Sequence, residues 1–395
     1  MSDLWIDIDL DAIISNYQEV SARLQPGCRC MAVVKADAYG LGAVPVAQAL
    51  EKAGCQAFAV TKVEEGLILR RYGVSGIILV LGPSSPEDWP EAIRAGLHLT
   101  VADIVGMEGI AEAAYEQDSQ AGIHIKIETG MGRTGFVPAD IPNLAAALQR
   151  SANVRVMGVY THFARAAQRD RGYTEHQYAL FEAAVAQLKA HRIDGFWQHI
   201  CNSAAFLDHQ EWQQDFVRIG TLLLGHYPAP AFDGSLKLRD PWSAKAKIVY
   251  LRKVDKGTFV GYQSIYRTKQ DTKLAVISAG YADGFGVEPH LIPQGWWDFV
   301  KILVKNMAAL LGIYLGREKV RIKGRTVPVA GKIGMQLTVI DVGNLECQVG
   351  DEVNIPLRRT LAGARIERRY WQSGKISTSR TMEEGVYTSN KECSH

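Results

Sequence analysis

From residue 30 to about residue 219 the chain repeats one rhythm, a short apolar run followed by an amphipathic stretch, and this repeat constrains the fold more than any other feature. The apolar runs fall at 30–35, 57–61, 76–81, 97–101, 123–128, 156–161, 197–201 and 216–219. Between most of them lie stretches with helical spacing, such as 63–72, 142–150 and 177–191. Apolar, β-branched runs bounded by turn residues read as buried strands. Strands that alternate with helices build a parallel sheet covered by those helices. Eight such units over about two hundred residues predict a closed (β/α)8 barrel. The open, doubly wound alternative needs a G-x-G-x-x-G turn after its first strand, and the chain has none there.

The flanking segments have a different texture. Trp5-Ile6-Asp7-Ile8-Asp9-Leu10 alternates apolar and acidic residues, as a half-exposed strand would, and Asp11 is placed to cap a helix over 12–24. After Pro230 the runs 242–251, 259–262, 273–277, 320–322, 326–329 and 338–342 are short, β-rich and separated by Gly, Asp and Pro. They predict a second, all-β domain interrupted by one helical stretch over 296–314. The expected class is therefore α/β, with an N-terminal (β/α)8 barrel over 1–232 and a C-terminal all-β domain over 233–371. A helical insertion is expected near 286–319 and a disordered, polar tail over 372–395. A chain of 395 residues with 47% hydrophobic content can bury both cores.

Charge and cysteine usage exclude several function classes. Lys and Arg number 44 against 42 Asp and Glu, a net charge of +2, which argues against a nucleic-acid or membrane partner. The start, Met1-Ser2-Asp3-Leu4-Trp5, lacks the pattern of a signal peptide. The longest apolar region, 299–315, is broken by Lys301, Lys305 and Asn306 and does not read as a membrane span. The cysteines at 28, 30, 55, 201, 347 and 393 are too scattered for a disulfide framework or a zinc site. A cytoplasmic protein with reduced thiols and no metal is expected.

Barrel chemistry sits at the C-terminal ends of the strands, which makes those ends a short list. Strand one leads to Lys35 and Tyr39, strand five to Arg133, strand six to His162, strand seven to Asn202 and Ser203, and strand eight to Arg218, Gly220 and Thr221. A lysine closing a buried strand is costly unless used, because desolvation lowers its pKa and makes the amine nucleophilic toward a carbonyl. Taken alone, Lys35 could equally snorkel to solvent. Ser203 and the backbone N–H groups of Gly220 and Thr221 lie where barrels bind phosphate, and His162 could stack on a flat ring. A phosphorylated carbonyl cofactor held by Lys35 fits these positions together, and pyridoxal phosphate is such a group.

Several ordered blocks resemble the bacterial alanine racemase family of pyridoxal-phosphate enzymes. They are 33–42, 126–136, 158–164, 199–205, 217–220, 261–266, 280–284 and 328–335, within a resemblance that spans about residue 3 to about residue 371. The resemblance implies racemisation of L- and D-alanine by two bases. Lys35, the Schiff-base lysine, would be one, and Tyr266, contributed by the other subunit of a homodimer with shared active sites, the second. It further implies cofactor contacts from Tyr39, His162, Ser203, Arg218, Gly220 and Thr221, with Arg218 against the pyridine nitrogen. Arg133 and Met335 would meet the amino-acid substrate, and Lys126 matches a lysine often carbamylated in the family. As residues alone, Tyr266 reads as an ordinary strand aromatic.

Four departures from the family pattern bear on the substrate. Leu41 replaces a usual histidine, Gln336 replaces a usual aspartate, a late tyrosine has no clear counterpart near Pro356, and 285–319 is long. They motivate an alternative, a racemase for a larger or more polar amino acid. Less favoured are a fold-related decarboxylase, against which Arg218 speaks, and a non-catalytic cofactor-binding protein, which would lack the second domain.

Overall fold

The computed structural model describes residues 2–168, 171–287, 296–310 and 318–380. The chain divides into two units, one running from Asp9 to Pro241 and the other joining the residues up to Ile8 with those from Trp242 onward. The barrel unit thus runs on to Pro241 rather than 232, and it lacks the N-terminal strand, β1 (Leu4–Asp9), which pairs antiparallel with β10 (Trp242–Val254) of the second unit, Trp5 opposite Lys245.

The first unit is the barrel. Its strands are β2 (Arg29–Val33), β3 (Ala57–Val60), β4 (Ile77–Val80), β5 (His98–Val101), β6 (Ala121–Lys126), β7 (Val154–Tyr160), β8 (Trp197–His199) and β9 (Phe216–Ile219). All pair in parallel in the spatial order β8-β7-β6-β5-β4-β3-β2-β9. Just beyond β8, the Arg218 N–H donates to the Cys201 carbonyl at 2.9 Å and brings the two end strands together. Alternate residues of neighbouring strands (Met31, Val33, Ala57, Ala59, Leu79 and Phe216) form one buried cluster, as the two-residue strand period requires. Burying a side chain such as Phe216 contributes about 1.5–3 kcal/mol.

The first helix, Leu10–Ser21, follows β1 without a loop, so the junction residue itself is the cap. Asp9 Oδ1 accepts from the Ala12 N–H at 2.9 Å, and Asp11 lies inside the helix rather than before it. Fully buried Asn16 ties this helix to the end of the unit. Its Nδ2 donates to the carbonyls of Leu223 at 3.1 Å and Arg239 at 2.8 Å, and its Oδ1 accepts from the Arg239 N–H at 2.7 Å.

The second unit contains β11 (Phe259–Val260), β12 (Tyr266–Arg267), β13 (Thr272–Ile277), β14 (Lys319–Ile322), β15 (Arg325–Pro328), β16 (Thr338–Asp341), β17 (Glu352–Ile355), β18 (Glu367–Gln372) and β19 (Lys375–Arg380). The main sheet runs β15-β14-β17-β10-β1-β18-β19. The 13-residue β10 serves two neighbourhoods, pairing with β1 and β17 early and with β13 after a register shift between Ile248 and Tyr250. A bulge of this kind bends a strand and lets it change partners. Of the expected helical insertion near 286–319, the helix Trp296–Leu310 is described, with Trp296, Trp297, Leu303 and Met307 exposed; 288–295 and 311–317, which include the end of the helix expected over 296–314, lie outside the described residues.

The expected tail begins too early. Residues 372–380 close a hairpin, β18 pairing antiparallel with β19, across Ser373 (φ 50°) and Gly374 (φ 73°). Two consecutive positive φ values suit a two-residue hairpin turn, and Ser-Gly supplies them. The remainder of the expected tail, 381–395, lies outside the described residues. Asn16→Ala should strand buried backbone partners on Leu223 and Arg239, lowering barrel stability by about 1–3 kcal/mol. Urea unfolding of the variant should show that fall in midpoint; an unchanged midpoint would mean that the staple carries no stability.

Candidate active site

Lys35 is positioned by an unusual piece of backbone. Directly after it, Ala36, Asp37, Ala38 and Tyr39 take φ values of 50°, 55°, 51° and 56°, one turn of left-handed helix built from residues with side chains. Left-handed helical backbone costs roughly 1–2 kcal/mol per residue, so the surroundings must hold it. The Ala38 N–H donates to the Val34 carbonyl at 2.8 Å and the Gly42 N–H to the Asp37 carbonyl at 2.8 Å. Asp37 Oδ1 accepts from the Ala43 N–H at 2.9 Å. Glu65 joins two loops with one carboxylate, Oε1 accepting from Ala36 N–H at 2.5 Å and Oε2 from Thr61 and Lys62 N–H at 2.8 and 3.0 Å. Gly40 and Gly42, at φ 91° and 98°, release the chain from the turn.

The turn swings Tyr39 back toward the end of β9. A Cβ on Gly220 would lie 2.5 Å from Tyr39 Oη, so only glycine lets that hydroxyl approach the backbone. Beside it, Ser203 Oγ lies 3.4 Å from the Gly220 nitrogen. Thr221 Oγ1 is buried with no hydrogen-bond partner among the described residues. Three hydroxyls and a backbone N–H thus surround one small space. An orphaned buried hydroxyl is expensive unless something else satisfies it.

Across the mouth, the loop after β6 is folded around Glu128. Its Oε1 accepts from the N–H groups of Gly130 at 2.5 Å and Gly132 at 3.0 Å, and its Oε2 from that of Arg133 at 3.1 Å. Buried Lys126 donates to Thr134 Oγ1 at 2.6 Å, and burial together with the nearby Arg133 cation pushes its pKa down to about 8. The Lys35 pKa is also lowered, first by burial and then by Arg133.

Arg218 is buried at the centre. Its Nη2 donates to the Thr161 carbonyl at 2.5 Å and its Nη1 to the His199 carbonyl, and the guanidinium lies 5.1 Å from the Tyr160 ring centroid. Burial lowers its pKa to about 10, which leaves it a cation at neutral pH. Burial and then the Arg218 charge push His162 down to about 3, so His162 is a neutral ring here.

One cavity of about 440 Å³ is lined by Lys35, Tyr39, Lys126, Arg133, His162, Ser203, Arg218, Gly220 and Thr221. Every expected site residue of the barrel therefore meets in one place. Tyr266 and Met335 belong to the other unit. Tyr266 packs with Val260, Leu274 and Ala330 and donates its hydroxyl to Asp341 Oδ2 at 2.6 Å, while Met335 and Gln336 are exposed. Leu41 is fully buried. Reasoning from sequence missed Glu65, Tyr160 and Thr134. Only Glu65 carried a signal, a carboxylate in the first turn of the helix Val63–Arg71, where it can reach back to free N–H groups.

The order of these residues along the strands is that of a known family. Residues 8–228 match the alanine racemase N-terminal domain, and residues 242–377 match the alanine racemase C-terminal domain. The chain belongs to the alanine racemase family. The alanine racemase of Desulforamulus reducens is 35% identical over 356 residues, 89% of each chain. That of Symbiobacterium thermophilum is 34% identical over 354 residues, 89% of this chain and 87% of its own. Among solved structures, the Clostridium difficile 630 alanine racemase superposes with a TM-score of 0.85 at 27% identity, covering 96% of this chain and 99% of its own. The enzyme of the D-cycloserine producer Streptomyces lavendulae gives 0.81 at 31% identity, covering 94% and 98%. All four are named for alanine, which disfavours the larger-substrate alternative raised by Leu41 and Gln336. Among the described residues no helix is long and apolar enough to cross a membrane, and no group of three or more His, Cys, Asp or Glu is placed to hold a metal.

The lowered pKa of Lys126 has a measurable consequence. The unfolded chain keeps that proton up to the ordinary value of 10.5, whereas the folded site releases it near 8. Stability linked to Lys126 therefore rises with pH between those values and is lowest below about 8. In ¹³C-methylated protein, one lysine resonance should titrate near 8 and vanish in Lys126→Met. Titration of that resonance in the ordinary lysine range would contradict the buried, cation-flanked environment.

Proposed function

We propose that the barrel-mouth cavity holds pyridoxal 5'-phosphate and that the protein, an isomerase, interconverts L- and D-alanine with Lys35 and Tyr266 as its two bases. The observation that carries this reading is the cradle of Tyr39 Oη, Ser203 Oγ, the Gly220 N–H and the orphaned Thr221 Oγ1, in one cavity with Lys35 and Arg218. Three hydroxyls, beside a Gly220 N–H whose present bond to Ser203 Oγ is long at 3.4 Å, surround a space closed to any Cβ on Gly220; they suit a phosphate, and the residues present fit the group. Pyridoxal phosphate, when bound, supplies a carbonyl carbon for a lysine amine and a conjugated ring that spreads the charge left when Cα loses a proton.

The chain's own residues then divide the work. Lys35, its pKa lowered by burial, would hold the group through Nζ and move a proton at one face of Cα. Inversion needs a second proton carrier on the opposite face, a role the family resemblance gives to Tyr266 of a second copy of the chain; its hydroxyl, donated here to Asp341 Oδ2 at 2.6 Å, would have to exchange that partner for the substrate. The active protein on this reading is a homodimer that shares its sites. Arg133, its backbone held by Glu128, binds the substrate carboxylate, and Lys126 would steady Arg133 only once carbamylation has turned its cation into an anion. Met335 closes on the substrate. A lysine that releases its proton near 8 also offers the neutral amine that adds carbon dioxide, the form a carbamylated Lys126 requires.

Arg218 decides which reaction follows proton removal. A guanidinium only donates, so Arg218, placed against the ring nitrogen of the bound group, would leave that nitrogen an acceptor without a proton. A ring without that proton is a weaker electron sink, which favours return of a proton to Cα over transfer to the cofactor. Neutral His162 can lie against the ring without adding charge.

Lys35→Ala should lose both racemisation and the pyridoxal phosphate that borohydride fixes to the Lys35 peptide of the wild type. Because the two bases come from different copies, mixing inactive Lys35→Ala and Tyr266→Phe should restore activity through heterodimers with one intact site. A fixed cofactor on Lys35→Ala, or no recovery after verified subunit exchange, would overturn the reading.

A further inference from the structure

Beneath Arg218 the barrel interior holds three histidines that the reaction does not use. His199 Nδ1 lies 3.0 Å from Arg218 Nη1, His199 Nε2 lies 2.8 Å from His124 Nδ1, and His124 Nε2 lies 3.0 Å from His98 Nδ1. His124 and His199 have no exposed surface, and His98 is half-buried. His98 is the first residue of β5, so the chain starts at the catalytic mouth and ends at the opposite rim of the barrel. A separate cavity of about 220 Å³ opens there, lined by residues including His98, Gln120, Gly122 and Arg155.

Space has been left for this contact. Gly158 sits opposite His124 in the β6–β7 register, and a Cβ there would lie 2.3 Å from His124 Nδ1 and 3.1 Å from His199 Nε2. Any side chain at 158 would occupy the hydrogen bond between the two rings. His199 is held from its other side by stacking on Tyr160, with centroids 4.9 Å apart and planes 8° from parallel.

We propose that His98, His124 and His199 are positioning residues for Arg218, forming one directed hydrogen-bond chain whose proton order is set by the guanidinium. The direction follows from valence. Arg218 has only N–H groups to offer, so His199 Nδ1 must accept and its proton must sit on Nε2. That N–H donates to His124 Nδ1, which places the His124 proton on Nε2, and the same step fixes His98. All three rings are then neutral with Nε2–H, and burial, the leading cause, lowers each pKa, to about 4 for His98 and well below the ordinary value for the other two. In this order the rim-facing His98 Nε2 already carries its proton and offers no lone pair to a further one, and the lone pair at the other end, on His199 Nδ1, is covered by an Arg218 N–H. The chain therefore excludes a proton from the guanidinium end and fixes the guanidinium plane. Its catalytic consequence rests on the proposed placement of Arg218 against the cofactor ring, but its proton order does not.

Nitrogen-15 NMR of histidine-labelled, cofactor-loaded protein, assigned by single His→Gln variants, tests the order directly. Three neutral Nε2–H rings are expected. Arg218→Glu replaces the donor by an acceptor and should reverse all three to Nδ1–H. Rings that keep Nε2–H in that variant, or are mixed in the wild type, would overturn the directed chain. For positioning, His124→Leu breaks the chain, whereas His124→Gln retains one donor and one acceptor. His124→Leu should shift the visible band of the bound cofactor and lower kcat about tenfold with little change in KM, and His124→Gln should restore both. Equal impairment of the two variants, or two wild-type spectra, would overturn the positioning role. Protein that takes up no pyridoxal phosphate would sink the functional reading while leaving the NMR result interpretable.

Discussion

A guanidinium buried at the mouth of a barrel is the constraint on which the rest of the site depends. Removing Arg218 from water is expensive, and no carboxylate compensates it among the hydrogen-bond partners described. Its donors go instead to the carbonyls of Thr161, His199 and Ile200 and to imidazole nitrogens. That choice leaves the positive charge unneutralised, and the neighbours register it. Beyond burial, the Arg218 charge helps to lower the pKa values of Lys35, Lys126, His124, His162 and His199. Burial comes first for all five groups, and for the two lysines Arg133 comes ahead of Arg218, so this buried cation adds to an environment that already favours the neutral lysines and the neutral histidines.

Such a site needs rigid support, and much of it comes from small or strained backbone. The left-handed turn after Lys35 carries a conformational cost that Glu65 and Asp37 offset through hydrogen bonds to main-chain N–H groups. Its outcome is a tyrosine hydroxyl delivered against Gly220. Gly220 and Gly158 act alike, each surrendering a side chain so that a polar group can approach, Tyr39 in one case and the His124–His199 pair in the other. Strain and vacancy are concentrated where chemistry requires close approach.

The barrel was legible because its signal is periodic. Eight apolar runs at strand length announce eight strands, and the rule that chemistry occupies strand ends selects Lys35, Arg133, His162, Ser203 and Arg218 before any coordinates exist. Features that arise from neighbours distant in sequence were not legible. β1 joins the second unit because it pairs with β10, more than two hundred residues away, and a local strand pattern does not say which sheet takes it. The β18–β19 hairpin was missed because its second strand, Lys375–Arg380, is polar and largely exposed, although Ser373-Gly374 carries the turn signal. The left-handed turn had no signature either, since Ala36, Asp37 and Ala38 favour ordinary backbone. The histidine chain was hidden for a further reason: His98, His124 and His199 lie on three strands and meet only when the barrel closes.

The central claim is that Arg218 remains a donor to the cofactor ring and keeps its nitrogen without a proton. Nitrogen-15 NMR of the enzyme loaded with ring-labelled pyridoxal phosphate reads that atom directly. The account predicts the chemical shift of an unprotonated, hydrogen-bond-accepting nitrogen throughout the neutral pH range, moving to the pyridinium position in Arg218→Glu. A pyridinium shift in the wild-type enzyme would contradict it.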